Sequence, residues 1–507
     1  MKANRRATHG RKGFAALYTV FTCMLLIPVV GLAIDFSVLY NVKGRLQSAV
    51  DAAAIAAGYT MQRSTNLSDP TQVAAIQATA TRYFNANYPA HYWGSTQVSY
   101  SATPAQNATT KVRTIQVLAE ETVPMLFMRV LGINNSQVAA LGTVTVRYTN
   151  IIIVVDRSGS ITSENNDGVP VINAIVNTLS TFVANSATST FVDGRDVVGL
   201  ITFGGTWNLD FAPSTYFQSG SPNIGSAITN LQNNEFGNSG TNTAEGLYQA
   251  WYQLRQLNQP GALNVILLLT DGRPSAFSGN FTSTAHCTSN SPHKGVLQSY
   301  VGLGSAYPYW PPPTSDSNNP FGLITTTFQG LQETSYAATA NDSGCSYPGN
   351  LANLPNDIPT FPANAGPVDN VGTIPAYTTT GVSTTSGYYP GFGQNTSNPK
   401  SVRYASFNVA DNIATLIRTD TVISPVLFVI GLYYNNTLTE PLDSDWLARL
   451  ANDQYYTIQN TDSDAGTTAG NAVFQEGQTV GAYYSSTAQG LPQAFQNVAS
   501  QVMRLSQ

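Results

Sequence analysis

The chain has 507 residues, of which only 10% are charged; that length allows two or three domains, and the charge content is far below the usual share. Thr, Ser, Asn, Gly and Tyr fill the gap, a composition common on exported surfaces, and the net charge of −5 argues against nucleic acid or another polyanion as partner. Of the three cysteines, Cys23 lies in an apolar segment, while Cys287 and Cys345 sit in a polar one and allow a disulfide without requiring it.

Residues 1–12 carry Lys2, Arg5, Arg6, Arg11 and Lys12 and no acid. Phe14 to Ile34 then runs about 21 residues without a charge, enough to cross a hydrocarbon core of ~30 Å as a helix. The basic flank predicts an N-terminus kept in the cytoplasm and export of everything after Asp35. A cleaved signal peptide ending at Gly31-Leu32-Ala33 is the alternative. Against it, the run is long, and helix spacing continues through Phe36, Leu39, Val42, Leu46, Val50, Ala53 and Ala57. The pattern therefore predicts an uncleaved anchor and stem over residues 13–58.

This stretch resembles the TadE/TadG-like proteins of tight-adherence (Flp) pilus assembly, through Gly-Leu-Ala-Ile-Asp at Gly31 to Asp35 and the Ala-rich run Leu46 to Ala57. Arg11-Lys12-Gly13 resembles a prepilin-peptidase site, but Tyr18 stands where processed prepilins usually carry Glu. That departure points to the TadG-like branch. The resemblance implies pilus-assembly components as partners and a single pass through a bacterial inner (cytoplasmic) membrane, with the bulk of the chain periplasmic or extracellular.

Residues 59–149 read as a small α+β stalk with no ligand of its own. Its expected elements are a helix over Thr71 to Ala86 and strands over Lys111 to Ala119 and Val138 to Tyr148. The larger domain, residues 150–507, begins on Asn150 to Ser160. Ile151 to Val155 is a β-branched run expected to be buried on both faces in a parallel sheet. It ends in Asp156-Arg157-Ser158-Gly159-Ser160, which sets a carboxylate and two hydroxyls on the edge where open α/β sheets bind ligands. Hard oxygens from one short loop suit a hard divalent cation.

Val169 to Val183 reads as an amphipathic helix, Asp196 to Phe203 as a strand, and Trp207 to Phe211 as its hairpin partner. Ser239 to Gly246 is a Gly-Thr loop opening a helix over Thr243 to Leu257. Leu263 to Thr270 is a second buried run, ending in Asp271-Gly272. In this order, D-x-S-x-S, the Thr loop and the strand-end Asp resemble the von Willebrand factor A (vWA) domain with its metal-ion-dependent adhesion site. The resemblance implies an α/β, Rossmann-like doubly wound fold. It also implies a metal held by Asp156, Ser158, Ser160, Thr241 and Asp271, namely Mg²⁺ with Mn²⁺ or Ca²⁺ as alternatives.

From about residue 273 to 400 the periodicity stops. An insertion this long starting beside the proposed site reads as a cap over it, with a low-complexity spacer as the alternative. Regular elements resume with a helix over Phe407 to Arg418, a strand over Val426 to Leu432 and a helix over Asp445 to Asn452. After a second insertion, about 460 to 478, Leu491 to Leu505 closes the domain as a helix.

His286, Cys287 and His293 lack the spacing of a transition-metal site. No nucleophile elbow, Walker A or dinucleotide fingerprint is present. A non-enzymatic role is expected: binding of a protein ligand that offers an Asp or Glu carboxylate, or a scaffold in which the metal only braces loops.

Overall fold

An unbroken helix, α1 (Arg11–Arg63), carries both the apolar run and the stem, and among the described residues it alone is long and apolar enough to cross a membrane. The computed structural model describes residues 11–108, 110–158, 161, 165–166, 169–205, 207–232, 241–271, 274–281, 293–298, 357–358, 382–383, 399–433, 442–459 and 473–506. They fall into two units, Met1–Val146 (with Gln507) and Arg147–Ser506.

In the first unit, α1 and α2 (Pro70–Asn87) cover a three-stranded antiparallel sheet in the order β1 (Thr96–Gln106), β2 (Arg113–Pro124), β3 (Asn135–Val146). Asp69 starts α2 by accepting the Thr71 amide at 2.9 Å, with Pro70 in the first turn where its missing N–H costs nothing. Ile115, Val117 and Ala119 on β2 meet Val42, Leu46, Val50, Ala53 and Ala57 of the stem in one apolar core. Phe36, expected in that stripe, is instead 68% exposed, and Val38 takes the buried place. The reason is angular, since residues 38, 42, 46, 50 and 53 fall within an arc of about 120° on a 3.6-residue helix, and 36 lies outside it, about 100° from its centre. Strand β1 went unread because its side chains are mostly exposed, so no apolar alternation marks it, and Pro104 is tolerated there because the strand is an edge. The buried Arg113 guanidinium donates to the carbonyls of Met61, Ser64 and Thr65, at 2.7–3.3 Å, satisfying groups left over at the end of α1.

The second unit is a six-stranded sheet. In chain order its strands are β4 (Thr149–Asp156), β5 (Val197–Phe203), β6 (Trp207–Ser214), β7 (Leu263–Thr270), β10 (Val426–Leu432) and β11 (Ala482–Ser486). In space they run β11-β10-β7-β4-β5-β6, all parallel except the antiparallel edge β6. Every residue of β4 and β7 is buried, because helices cover both faces. Ile152, Val154, Ile266 and Leu268 pack against α5 (Thr243–Leu257), α6 (Pro399–Thr419) and α7 (Ser444–Ala451). Ile151, Ile153, Val155, Val265 and Leu267 pack against α3 (Val171–Leu179), α4 (Ile224–Asn230) and α8 (Leu491–Leu505).

One local reading is corrected, and one element is new. Helix α3 starts at Val171, because Val169 and Pro170 pair as a short strand with Asn166 and Asn165. Helix α4, seven residues capped by the Asn223 side chain, was too short for periodicity to reveal. Beyond Arg273 the chain does not leave the sheet as a plain loop; Ala276–Phe281 (β8) and His293–Gln298 (β9) form an antiparallel hairpin. Most of the expected cap, with His286, Cys287 and Cys345, lies outside the described residues.

Candidate metal centre

Strand β4 is buried on both faces, and Asp156, at its carboxyl end, is its only ionisable residue. The register sets Asp156 opposite Phe203 of β5 and Val155 opposite Leu269 of β7, so Thr270 falls beside the carboxylate. Its Oδ1 accepts the Ser158 amide at 2.9 Å and its Oδ2 accepts the Thr270 hydroxyl at 2.6 Å. Burial pushes the Asp156 pKa up, partly offset by the Thr270 hydroxyl and by the Ser158 amide and hydroxyl.

Asp271 follows Thr270 directly and is itself buried. Ser275 and Ala276 are stitched to the Thr241 loop. The Thr241 carbonyl accepts the Ser275 and Ala276 amides at 2.9 and 3.2 Å, and the Thr241 amide donates to Ser275 Oγ at 2.9 Å. Asn242 then ties this loop to the end of β5: its amide donates to the Gly204 carbonyl at 2.7 Å and its Nδ2 to the Gly205 carbonyl at 3.0 Å. The Asn242 Oδ1 accepts the Glu245 amide at 3.2 Å and so caps α5. Gly246 permits the close seat of that first turn, because a Cβ there would fall 2.7 Å from Phe203 Cδ1 and 3.0 Å from Val154 Cγ1. The Arg157 amide donates to the Phe203 carbonyl at 2.7 Å, fixing the first loop to the same edge.

Asp156, Ser158, Thr241 and Asp271 are all buried on loops joined through Thr270, Ser275 and Asn242. Gly159 and Ser160 lie outside the described residues. Among the described residues no three His, Cys, Asp or Glu side chains group as metal ligands; the candidate donors here are two carboxylates with hydroxyls. Residues that sequence reading passed over are Thr270, Ser275 and the buried Glu245. So is Asp210 on β6, which accepts the Thr202 hydroxyl at 2.6 Å and Asn208 Nδ2 at 2.9 Å. Burial pushes the Asp210 pKa up, and the Thr202 hydroxyl and the nearby charge of Arg157 pull against it. Only Asn242 left a local trace, the Asn-x-x-Glu spacing of a capping box.

Two family matches fit this geometry. Residues 150–303 match the von Willebrand factor type A domain family. Residues 150–303 are a vWA domain. Residues 13–62 match the TadE/G-like Flp pilus-assembly family, so the chain joins a Tad-like helix to a vWA domain. The later strands β10 and β11 complete the same vWA sheet beyond the matched span. Among curated proteins none matches.

Similar solved structures include the PilB minor pilin from Streptococcus sanguinis, at 14% identity and TM-score 0.36 over 82% of this chain and 80% of that one. The vWF domain of the type V pili tip protein Mfa5 from Porphyromonas gingivalis is 13% identical, with TM-score 0.33, over 71% of this chain and 97% of that one. Manganese-loaded TRAP protein from Plasmodium vivax is 19% identical, with TM-score 0.20, over 25% of this chain and 48% of that one.

Proposed function

We propose that this is a membrane-anchored, exported vWA protein of Tad/Flp pilus assembly or surface attachment, which binds a partner's Asp or Glu carboxylate through Mg²⁺. The observation that carries the proposal is the Asp156 carboxylate, fully buried at the strand end and held by neutral donors, the Thr270 hydroxyl and the Ser158 amide and hydroxyl. Burying a carboxylate is costly unless a positive charge compensates it. A hard cation among hydroxyls and carboxylates would do so, and the donor set fits one. The residues that would hold it are Asp156, Ser158 and Ser160, with Thr241 and Asp271 acting directly or through water; Mn²⁺ and Ca²⁺ are the alternatives. When bound, the ion supplies positive charge and an open position for an incoming carboxylate.

The protein's own residues set up that role. The Thr270 hydroxyl and Ser158 amide orient the Asp156 carboxylate. Ser158 and Thr241 offer neutral oxygens, which leave an ion's charge uncancelled. Asn242 and Ser275 hold the Thr241 loop in place. The role is binding rather than catalysis, and α1 anchors the chain in the inner membrane with its N-terminus in the cytoplasm.

The test is a pull-down of envelope partners by the full chain in Mg²⁺ and in EDTA, for wild type and Asp156→Ala. Loss of partner in EDTA and in the variant, with circular dichroism unchanged, supports the reading. Partner retained in both, with thermal stability lost in EDTA, supports a scaffold in which the metal only braces loops.

A further inference from the structure

The turn between β2 and β3 exposes an apolar surface beside the apolar part of α1. Leu126, Phe127, Val130, Leu131 and Ile133 all face outward, Val130 at 88% and Leu131 at 66% exposure. Five such side chains within eight residues form a patch that water disfavours. The turn is not loose. Asp35 is 2% exposed, and its carboxylate accepts the amides of Leu126 at 2.8 Å, Phe127 at 3.0 Å and Met128 at 2.7 Å. These are the donors that the short 3₁₀ turn Met128–Leu131 leaves unused at its start. One turn of α1 earlier, Phe127 lies over Gly31 so closely that a Cβ there would fall 2.7 Å from Phe127 Cβ.

Gly31 belongs to the uncharged run, and it lies about 6 Å inside Asp35 at 1.5 Å of rise per residue. The apolar turn therefore sits level with the last turn of the apolar run. We infer that residues 126–133 are a membrane-interface foot: they enter the outer boundary of the bilayer that α1 crosses, and Asp35 clamps them there. This rests on the membrane-spanning reading of α1. The occupant is lipid because the patch is continuous with the lipid-facing surface of α1, where Leu26, Ile27 and Val30 are also exposed. Arg129 in the same turn suits the headgroup layer, where a long cationic side chain reaches phosphate while its stem stays in apolar surroundings. Asp35 would be costly bare at that depth, and three amides satisfy it.

The test uses the full chain with Cys23, Cys287 and Cys345 changed to Ser, in vesicles of phosphatidylethanolamine and phosphatidylglycerol. A nitroxide is attached in turn to Leu25→Cys, Val130→Cys and Ala108→Cys, and its collisions with oxygen and with a water-soluble nickel chelate are compared. Ala108 is the control, in the β1–β2 turn at the opposite end of β2, about 40 Å away for twelve residues at ~3.3 Å each. The expected result is oxygen preferred at positions 25 and 130, and nickel preferred at 108. Nickel preferred at 25 as well would sink the spanning reading. Oxygen preferred at 25 with position 130 as wet as 108 overturns the foot alone. Shelter of position 130 from both reagents, growing with protein-to-lipid ratio, would mean a protein partner and likewise overturns it. Asp35→Asn should raise nickel access at 130 several-fold; no change would remove the clamp from the proposal.

Discussion

Thr270→Val tests whether Asp156 is held as a buried anion. Valine keeps the β-branched shape that strand β7 packs, and removes only the hydroxyl standing 2.6 Å from Asp156 Oδ2. Both residues are fully buried, so water does not replace the lost donor. Hydrogen bonds to charged groups contribute about 1.5–3 kcal/mol, so metal-free protein at pH 7 should lose about that much stability. Burial pushes the Asp156 pKa up, so as pH falls the carboxylate takes a proton more readily than an exposed aspartate does. A neutral acid gains only about 0.5–1.5 kcal/mol from the same hydroxyl, so the penalty should be smaller at pH 4 than at pH 7. The assay is urea unfolding in EDTA, followed by the fluorescence of Trp251 and Trp446, both buried in the vWA core. A penalty below about 0.5 kcal/mol at pH 7, or one equal at both pH values, would refute the reasoning.

Asp210 carries a second, separable pH dependence. Its folded pKa is raised by burial, so the folded chain holds a proton that the unfolded chain releases near pH 4. Its contribution is complete below that unfolded value and is lost as pH rises through the folded one. Relative to Asp210→Asn, wild type should become progressively less stable between pH 4 and 7, and a flat difference in denaturation midpoints would contradict this. Asn242→Ala removes the cap on α5 and the Gly205 contact, for an expected loss of about 2 kcal/mol. Titration calorimetry should show Mg²⁺ affinity falling as well, because Thr241 loses its tether; unchanged affinity would take Asn242 out of the site.

Much of the vWA domain was legible because burial on both faces leaves a plain mark. Ile151–Val155, Val265–Leu269 and Val426–Leu432 are continuous apolar runs, as the middle strands of a helix-covered parallel sheet require. Where each run stops was legible too: Asp156 and Asp271 mark the points at which the chain leaves the core. Elements with one wet face, or very short ones, were not. Strand β1 is largely exposed, and α4 spans only seven residues, so neither accumulates a period.

What the tertiary structure alone decided is which polar groups meet. Thr270 reads as the last residue of a strand until register sets it against Asp156, 114 positions away. Ser275 is one serine among many until it accepts the Thr241 amide, and Phe127 looks like turn filler until it closes over Gly31. Hydrophobic burial repeats along the chain with the period of each element, so it is written locally. A hydrogen bond between distant residues depends on how strands are ordered and how helices cross, and no local pattern records that.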